Sequence, residues 1–260
     1  MYIEASQLKK QVLIEQSWVF KFGNSMNQAK IRLICFPFAG GSASFFHSWQ
    51  ALMPDEVELV AIELPGRASR IREPLITDSN ELLNQLEELD VLNVEKPFAF
   101  FGHSMGAHIA FELSRRLRQS DKPQPVHLYL SGRGAPHIKN EKKKIHALPE
   151  KEFIQQIASL NGMPQEVLSN PELMELVSPI LRADCKLLET WAYKEDEKLN
   201  VPITAMMGAE DPSATHNKVE RWADLSSKSF RLYQFPGDHF FINTAKQAVV
   251  DKIVDDLKLK

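Results

Sequence analysis

Residues 98–114, FAFFGHSMGAHIAFELS, decide how this chain is read. An apolar run ends at Gly102, and beyond it Met105, Ile109 and Leu113 recur at helical spacing. The first half reads as a strand covered on both faces, the second as a helix with one buried stripe. Ser104 stands at the junction, between Gly102 and Gly106. Small residues on either side let the backbone turn sharply from strand to helix, exposing the serine oxygen at a helix N-terminus. There the partial positive charge of the helix end favours a developing oxyanion. The same five-residue pattern also arises as a plain turn, so the rest of the chain has to choose.

Outward from this stretch, IRLICF (31–36), VELVAIEL (57–64), PFAFFG (97–102), VHLYLSG (126–132), VPITAMMG (201–208) and FRLYQFPG (230–237) read as strands. Between them SFFHSWQALM (44–53), SNELLNQLEEL (79–89), MGAHIAFELSRRLRQ (105–119), THNKVERWADL (215–225) and AKQAVVDKIVDDLKL (245–259) read as helices. This alternation predicts an α/β fold with a mainly parallel central sheet and helices on both faces. It breaks over residues 137–199, where no convincing strand occurs and Asn170 offers an N-cap with Pro171 at the first helical position. That segment is expected to be a helical lid insertion, set in a core of residues 18–136 and 200–260. Residues 1–17 read as a polar leader, a frayed helix or disordered.

A chain of 260 residues with 43% hydrophobic and 25% charged residues has the composition of a soluble globular protein. Its net charge of -3 leaves no general footprint for nucleic acid. The opening residues carry no apolar secretion core, and no apolar run is long enough to span a membrane. Cys35 and Cys185 match no metal or redox spacing and read as small buried residues, consistent with a reducing cytoplasm.

A serine nucleophile needs a base, itself oriented by an acid, and on this architecture the order is serine, acid, histidine, each after a strand. Of eight histidines, His239 in YQFPGDHFF follows a late strand and precedes the last helix; His216 is the weaker candidate. His103 sits inside the turn and is expected to point away from Ser104. The loop MMGAEDPSA offers Glu210 and Asp211, and Pro212 biases Asp211 away from helical dihedrals, which favours Asp211. Asp238 reads as a loop residue. The oxyanion donors are expected to be the Met105 N–H and one from CFPFAGGSASFF, with Ala39 the choice. A plain strand-to-helix turn, capped by Ser42 or Ser44, describes that loop equally.

The segments CFPFAGGSASFF, ELPGRASR, FGHSMGAHIAFELSRRL, LYLSGRGAP, MMGAEDP and GDHFFI, in this order, resemble the type II (external) thioesterases of non-ribosomal peptide and polyketide synthesis. The resemblance runs from about Trp18 to the C-terminus. It implies an α/β-hydrolase fold, with Ser104 as nucleophile, His239 as base, Asp211 as orienting acid and Ala39 and Met105 as oxyanion donors. It implies hydrolysis of acyl thioesters on the phosphopantetheine arm of carrier proteins, in the cytoplasm, with no metal or organic cofactor and no nucleic-acid or membrane partner. Phe38 and Arg67 become candidate substrate contacts. Arg67 and Arg70 read either as partners of the arm's phosphate or as braces of their own loop. Lys139, Lys142, Lys143 and Lys144 form either a solvated face or a docking patch for an acidic carrier protein. Phe153, Leu173, Leu176 and Leu188 are expected on the apolar face of the lid, and Asp184 reads as structural. Rival readings are a carboxylesterase or acyltransferase with the same three residues, and a binding module without catalysis.

Overall fold

A computed structural model describes residues 17–22, 29–92, 96–138, 144–159 and 165–257. The elements are β1 (Val19–Phe22), β2 (Ile31–Phe36), β3 (Val57–Ile62), α1 (Ser79–Glu87), β4 (Phe98–His103), α2 (Met105–Gln119), β5 (Leu128–Ser131), α3 (Glu150–Ala158), α4 (Gln165–Leu168), α5 (Pro171–Thr190), β6 (Ile203–Gly208), α6 (His216–Val219), β7 (Phe230–Phe235), α7 (Phe241–Thr244) and α8 (Lys246–Asp256). Seven strands form one sheet in the order β1-β3-β2-β4-β5-β6-β7. β1 pairs antiparallel with β3, and the other pairs are parallel.

The apolar runs split by alternation onto two cores. Ile34, Phe36, Phe98 and Phe100 point to the side covered by α1 and α2. Leu33, Cys35, Ala99 and Phe101 point to the other side, against Phe46, Trp49 and the α8 residues Val249, Val250 and Ile253. A strand covered on both faces is apolar on successive residues, and the charged Arg32 of β2 and Glu58 of β3 are buried as a pair, 2.9 Å apart. The chain steps from β2 to β3 in one direction, then returns to place β4 on the far side of β2. The crevice at the C-terminal ends of β2 and β4 is therefore the topological switch point, where open α/β sheets hold their ligands.

The structure departs from the expected elements in three places. Residues Ala43–Leu52 form a 3-10 helix rather than an α-helix. Its buried residues Ala43, Phe46 and Trp49 are three apart, the repeat of that tighter helix. Residues 215–225 likewise divide into the single turn of α6 and a 3-10 segment, Glu220–Leu225. Strand β1 was not expected: it has only four residues, one of them the exposed Lys21.

Between β5 and β6 lie helices α3, α4 and α5. The Asn170 side chain accepts the Glu172 and Leu173 N–H groups at 3.0 and 3.3 Å, with Pro171 opening α5. Phe153, Ile157, Leu181 and Cys185 make a separate apolar cluster that packs on Ala39. Leu173 and Leu176 were expected on this inner face but are 39% and 55% exposed. The inner stripe of α5 is instead Val177, Leu181, Cys185 and Leu188, spaced four, four and three.

Candidate active site

At the end of β4 the backbone reverses through Ser104, whose φ of 55° and ψ of -107° lie outside the usual basins for a residue with a side chain. Such a conformation costs about 1–3 kcal/mol and persists only where its surroundings impose it. Here the Ser104 N–H donates to the Ser131 carbonyl at 2.8 Å, tying the turn to β5. The two flanking glycines are dictated by approach distance. A Cβ on Gly102 would lie 2.0 Å from the Gly106 carbonyl oxygen, and one on Gly106 2.1 Å from that of Phe36. The first turn of α2 thus presses against β4 and the end of β2, and Ser104 is left half-buried at the helix N-terminus.

Asp211 follows β6 and His239 follows β7, and the two side chains meet. His239 Nδ1 lies 2.7 Å from Asp211 Oδ2, both residues buried. The other carboxylate oxygen, Oδ1, accepts the Ser213 N–H at 2.8 Å, the Ser213 hydroxyl at 2.7 Å and the Ala214 N–H at 3.2 Å. Burial alone would raise this carboxyl. The hydrogen bonds from His239 and Ser213 and the attraction to His239 outweigh it and hold Asp211 at about 2. An anionic Asp211 fixes the Nδ1–H tautomer of His239, leaving Nε2 as the basic nitrogen. Glu210 is exposed, and His216 is exposed beside Glu220 at 3.6 Å, so neither rival takes this position. Asp238 spends its carboxylate on the Phe240 N–H at 2.9 Å, within its own loop.

Ser104, His239, Phe38 and Ala39 line one cavity of about 1110 Å³, walled by Val177, Leu181 and Leu188 of α5 and by Trp191 and Tyr193. Among the described residues no hydrogen bond joins Ser104 to His239. Catalytic hydrogen bonds are often loose in the absence of substrate and tighten in the complex. The Ala39 and Met105 N–H groups likewise have no acceptor among the described residues. Phe38 packs edge-on against Phe45 and Phe240, with centroids 5.1 and 5.0 Å away.

Arg67 is not in the cavity wall. Its guanidinium, 4% exposed, pairs in bidentate fashion with Asp184 at 2.7 and 2.8 Å and donates to the Gly41 carbonyl at 3.3 Å. Asp184, on α5, also accepts the Gly40 N–H at 2.8 Å. This clamp joins α5 to the loop 38–41, where the Gly41 N–H closes a turn onto the Phe38 carbonyl at 2.9 Å. Arg70 braces its own loop, donating to the Glu63 carbonyl at 2.9 Å and lying 4.0 Å over Trp18. Lys139, Lys142 and Lys143 fall outside the described residues, while Lys144 lines the cavity.

Two residues of the site were missed. Ser213 is readable as part of an Asp-Pro-Ser turn, in which an aspartate accepts the N–H two residues on. His103, passed over as turning away from Ser104, is fully buried with its ring 5.0 Å from that of His239 and Nδ1 2.9 Å from Ser131 Oγ. Burial, then the charge His239 can acquire, hold His103 well below an ordinary histidine, so it is neutral at pH 7. Among the described residues no three His, Cys, Asp or Glu side chains gather as a metal requires. No helix of those residues is long and apolar enough to cross a membrane.

The thioesterase domain family matches residues 31–257. The gramicidin S biosynthesis protein GrsT of Aneurinibacillus migulanus is 42% identical over 241 residues, covering 92% of this chain and 94% of GrsT. The human medium-chain S-acyl fatty acid synthase thioesterase is 34% identical over 220 residues, 83% of this chain and 82% of that protein. The structure of BorB, a type II thioesterase from the borrelidin biosynthetic cluster, superposes with a TM-score of 0.84 at 33% identity, covering 92% of this chain and 97% of BorB. The chain belongs to the thioesterase domain family, with an α/β-hydrolase fold, and is a hydrolase acting on thioesters.

Proposed function

We propose that this enzyme clears acyl, peptidyl or polyketidyl groups from the phosphopantetheine arms of carrier proteins, through an acyl-enzyme on Ser104. The observation that carries the reading is the buried His239–Asp211 pair opening onto the same cavity as a strained, half-buried serine. Relatives named as biosynthetic thioesterases, GrsT and BorB among them, support the setting in peptide and polyketide assembly.

In the first half-reaction Ser104 Oγ attacks the thioester carbonyl while His239 Nε2 takes its proton. The tetrahedral oxyanion is met by the Met105 and Ala39 N–H groups. Collapse breaks the C–S bond, and the proton on His239 passes to the departing thiolate. In the second half-reaction His239 takes a proton from water as it attacks acyl-Ser104. Collapse of that intermediate returns the proton to Ser104 and releases the free acid. None of these steps calls for a metal or organic cofactor; the phosphopantetheine comes with the substrate. Both cysteines are free and buried, in keeping with a reducing cytoplasm.

The test is a panel of acyl-phosphopantetheinyl carrier proteins, short to long, followed by intact mass. Free acid released at higher kcat/KM than from a matched nitrophenyl ester supports the reading. Preference for the ester, or transfer of the acyl group to an alcohol or amine, would replace it by an esterase or an acyltransferase.

A further inference from the structure

The cavity beside Ser104 contains a cation that the mechanism above does not use. Arg133 lines it, half-buried, and its guanidinium has no hydrogen bond or ion pair among the described residues. The acidic residues of the cavity wall, Glu152 and Glu189, do not pair with it. Glu189 is taken up by the Ile145 N–H at 3.0 Å and by the His146 N–H and ring at 3.1 and 2.5 Å. Burial pulls Arg133 down to about 10, which leaves it charged at pH 7. Its charge, after burial, also helps to hold the buried His108 of α2 below an ordinary histidine.

The backbone carrying this side chain is held on both sides. The Gly132 N–H donates to the Met206 carbonyl at 2.9 Å, and the Ala135 N–H to that of Lys218 at 2.9 Å. The Arg133 carbonyl itself accepts the Trp222 indole N–H at 2.7 Å. Ser131, two residues earlier, is the residue whose carbonyl holds the Ser104 N–H. A five-donor group is thus held on a rigid support in the wall of the cavity that Ser104 also lines, with no acceptor among the described residues. An all-hydrocarbon chain packed there leaves those donors dry and unpaired, whereas an oxygen on the chain satisfies them.

We propose that Arg133 donates hydrogen bonds to an oxygen borne by the acyl chain, and so selects oxygenated acyl groups over saturated chains of the same length. The proposal rests on the thioesterase reading of Ser104. The arm's own phosphate is the other oxygen anion in the substrate, but two amide-containing segments separate it from the thioester, whereas Arg133 lines the same cavity as Ser104.

The test compares hexanoyl, 3-oxohexanoyl and 5-oxohexanoyl thioesters, each on pantetheine and on phosphopantetheine, with the wild type, Arg133→Met and Arg133→Lys. The readout is the kcat/KM ratio of oxo chain to hydrocarbon chain, with far-UV circular dichroism to confirm folding. For at least one oxo chain this ratio is expected to fall about 10–100-fold in Arg133→Met, on both arms, and by less in Arg133→Lys. A ratio unchanged by the substitution overturns the proposal. So does a loss confined to phosphopantetheine substrates, which would assign Arg133 to the phosphate. Should Arg133→Met not fold, an unchanged ratio in Arg133→Lys overturns the proposal equally. A wild type that hydrolyses none of these thioesters would refute the thioesterase reading instead.

Discussion

At the scale of single residues, the site is a set of constraints that leave few substitutions open. The carboxylate of Asp211 is held by four donors, counting His239, Ser213 twice and Ala214. Asp211→Asn keeps the shape but reverses the hydrogen bond to His239, so the ring takes the wrong tautomer. A fall in kcat of about 10⁴-fold is expected, with KM little changed, measured by thiol release from an acyl-pantetheine. Gly102→Ala places a methyl group 2.0 Å from a backbone oxygen that cannot swing aside. Loss of soluble protein is expected, and a folded, active Gly102→Ala enzyme would refute the packing described for the turn. The Ser104 turn and the loops that bring Asp211 and His239 together were legible in the sequence because each sits after an apolar run in a fixed order. Ser213 and His103 were not, because their roles come from contacts across loops distant in sequence.

Among elements, the decisive relation is between α5 and the loop after β2. Arg67, on the loop after β3, and Asp184, on α5, are almost fully enclosed, and between them they hold Gly40 and Gly41. Removing one partner of such a buried pair leaves the other charge stranded, at about 3–5 kcal/mol. Asp184→Asn is therefore expected to lower the urea midpoint and to reduce kcat more than it raises KM, because the loop bearing the Ala39 N–H loses its anchor. The double variant Arg67→Met, Asp184→Leu is expected to recover stability without recovering kcat. Full recovery of both would mean that the clamp only holds the fold together. The sequence showed Arg67, Arg70 and Asp184 as residues but not as partners, since Arg67 and Asp184 are 117 positions apart. Of the four residues expected on the inner face of the helical insertion, Phe153 and Leu188 lie there, and Leu173 and Leu176 were misread for a related reason. Leu173 and Leu176 are apolar, yet the buried stripe of a helix depends on which side faces the body, and α5 turns them outward.

For the whole molecule, the two-sided core explains both how the fold was read and how it responds to acid. Successive apolar residues announced strands covered on both faces, whereas the four-residue edge strand β1 had too short a pattern to read. Packing of this density also buries histidines. His103, His108 and His127 are all held below an ordinary histidine, in each case chiefly by burial, His127 at about 4. The unfolded chain takes up protons at these residues near pH 6.5, while the folded chain does not until lower pH. Stability contributed this way is complete above about pH 6.5 and is lost as the pH falls toward 4. Glu63, raised by burial to about 7, and Glu112, also raised chiefly by burial, act in the opposite sense, but they are two groups against three. The urea midpoint is expected to drop from pH 7 to pH 5, and to drop less in His127→Gln, whose side chain can still meet Thr204. A midpoint that rises on acidification would contradict the account. The central claim remains that Ser104 carries the acyl group between the carrier protein and water. It is tested most directly by rapid quenching of an acyl-carrier-protein reaction and mass analysis of the enzyme's peptides. The account predicts an acyl adduct on the peptide containing Ser104, and in Ser104→Ala no adduct and no turnover, with carrier-protein binding nearly unchanged. Continued deacylation by Ser104→Ala would contradict it.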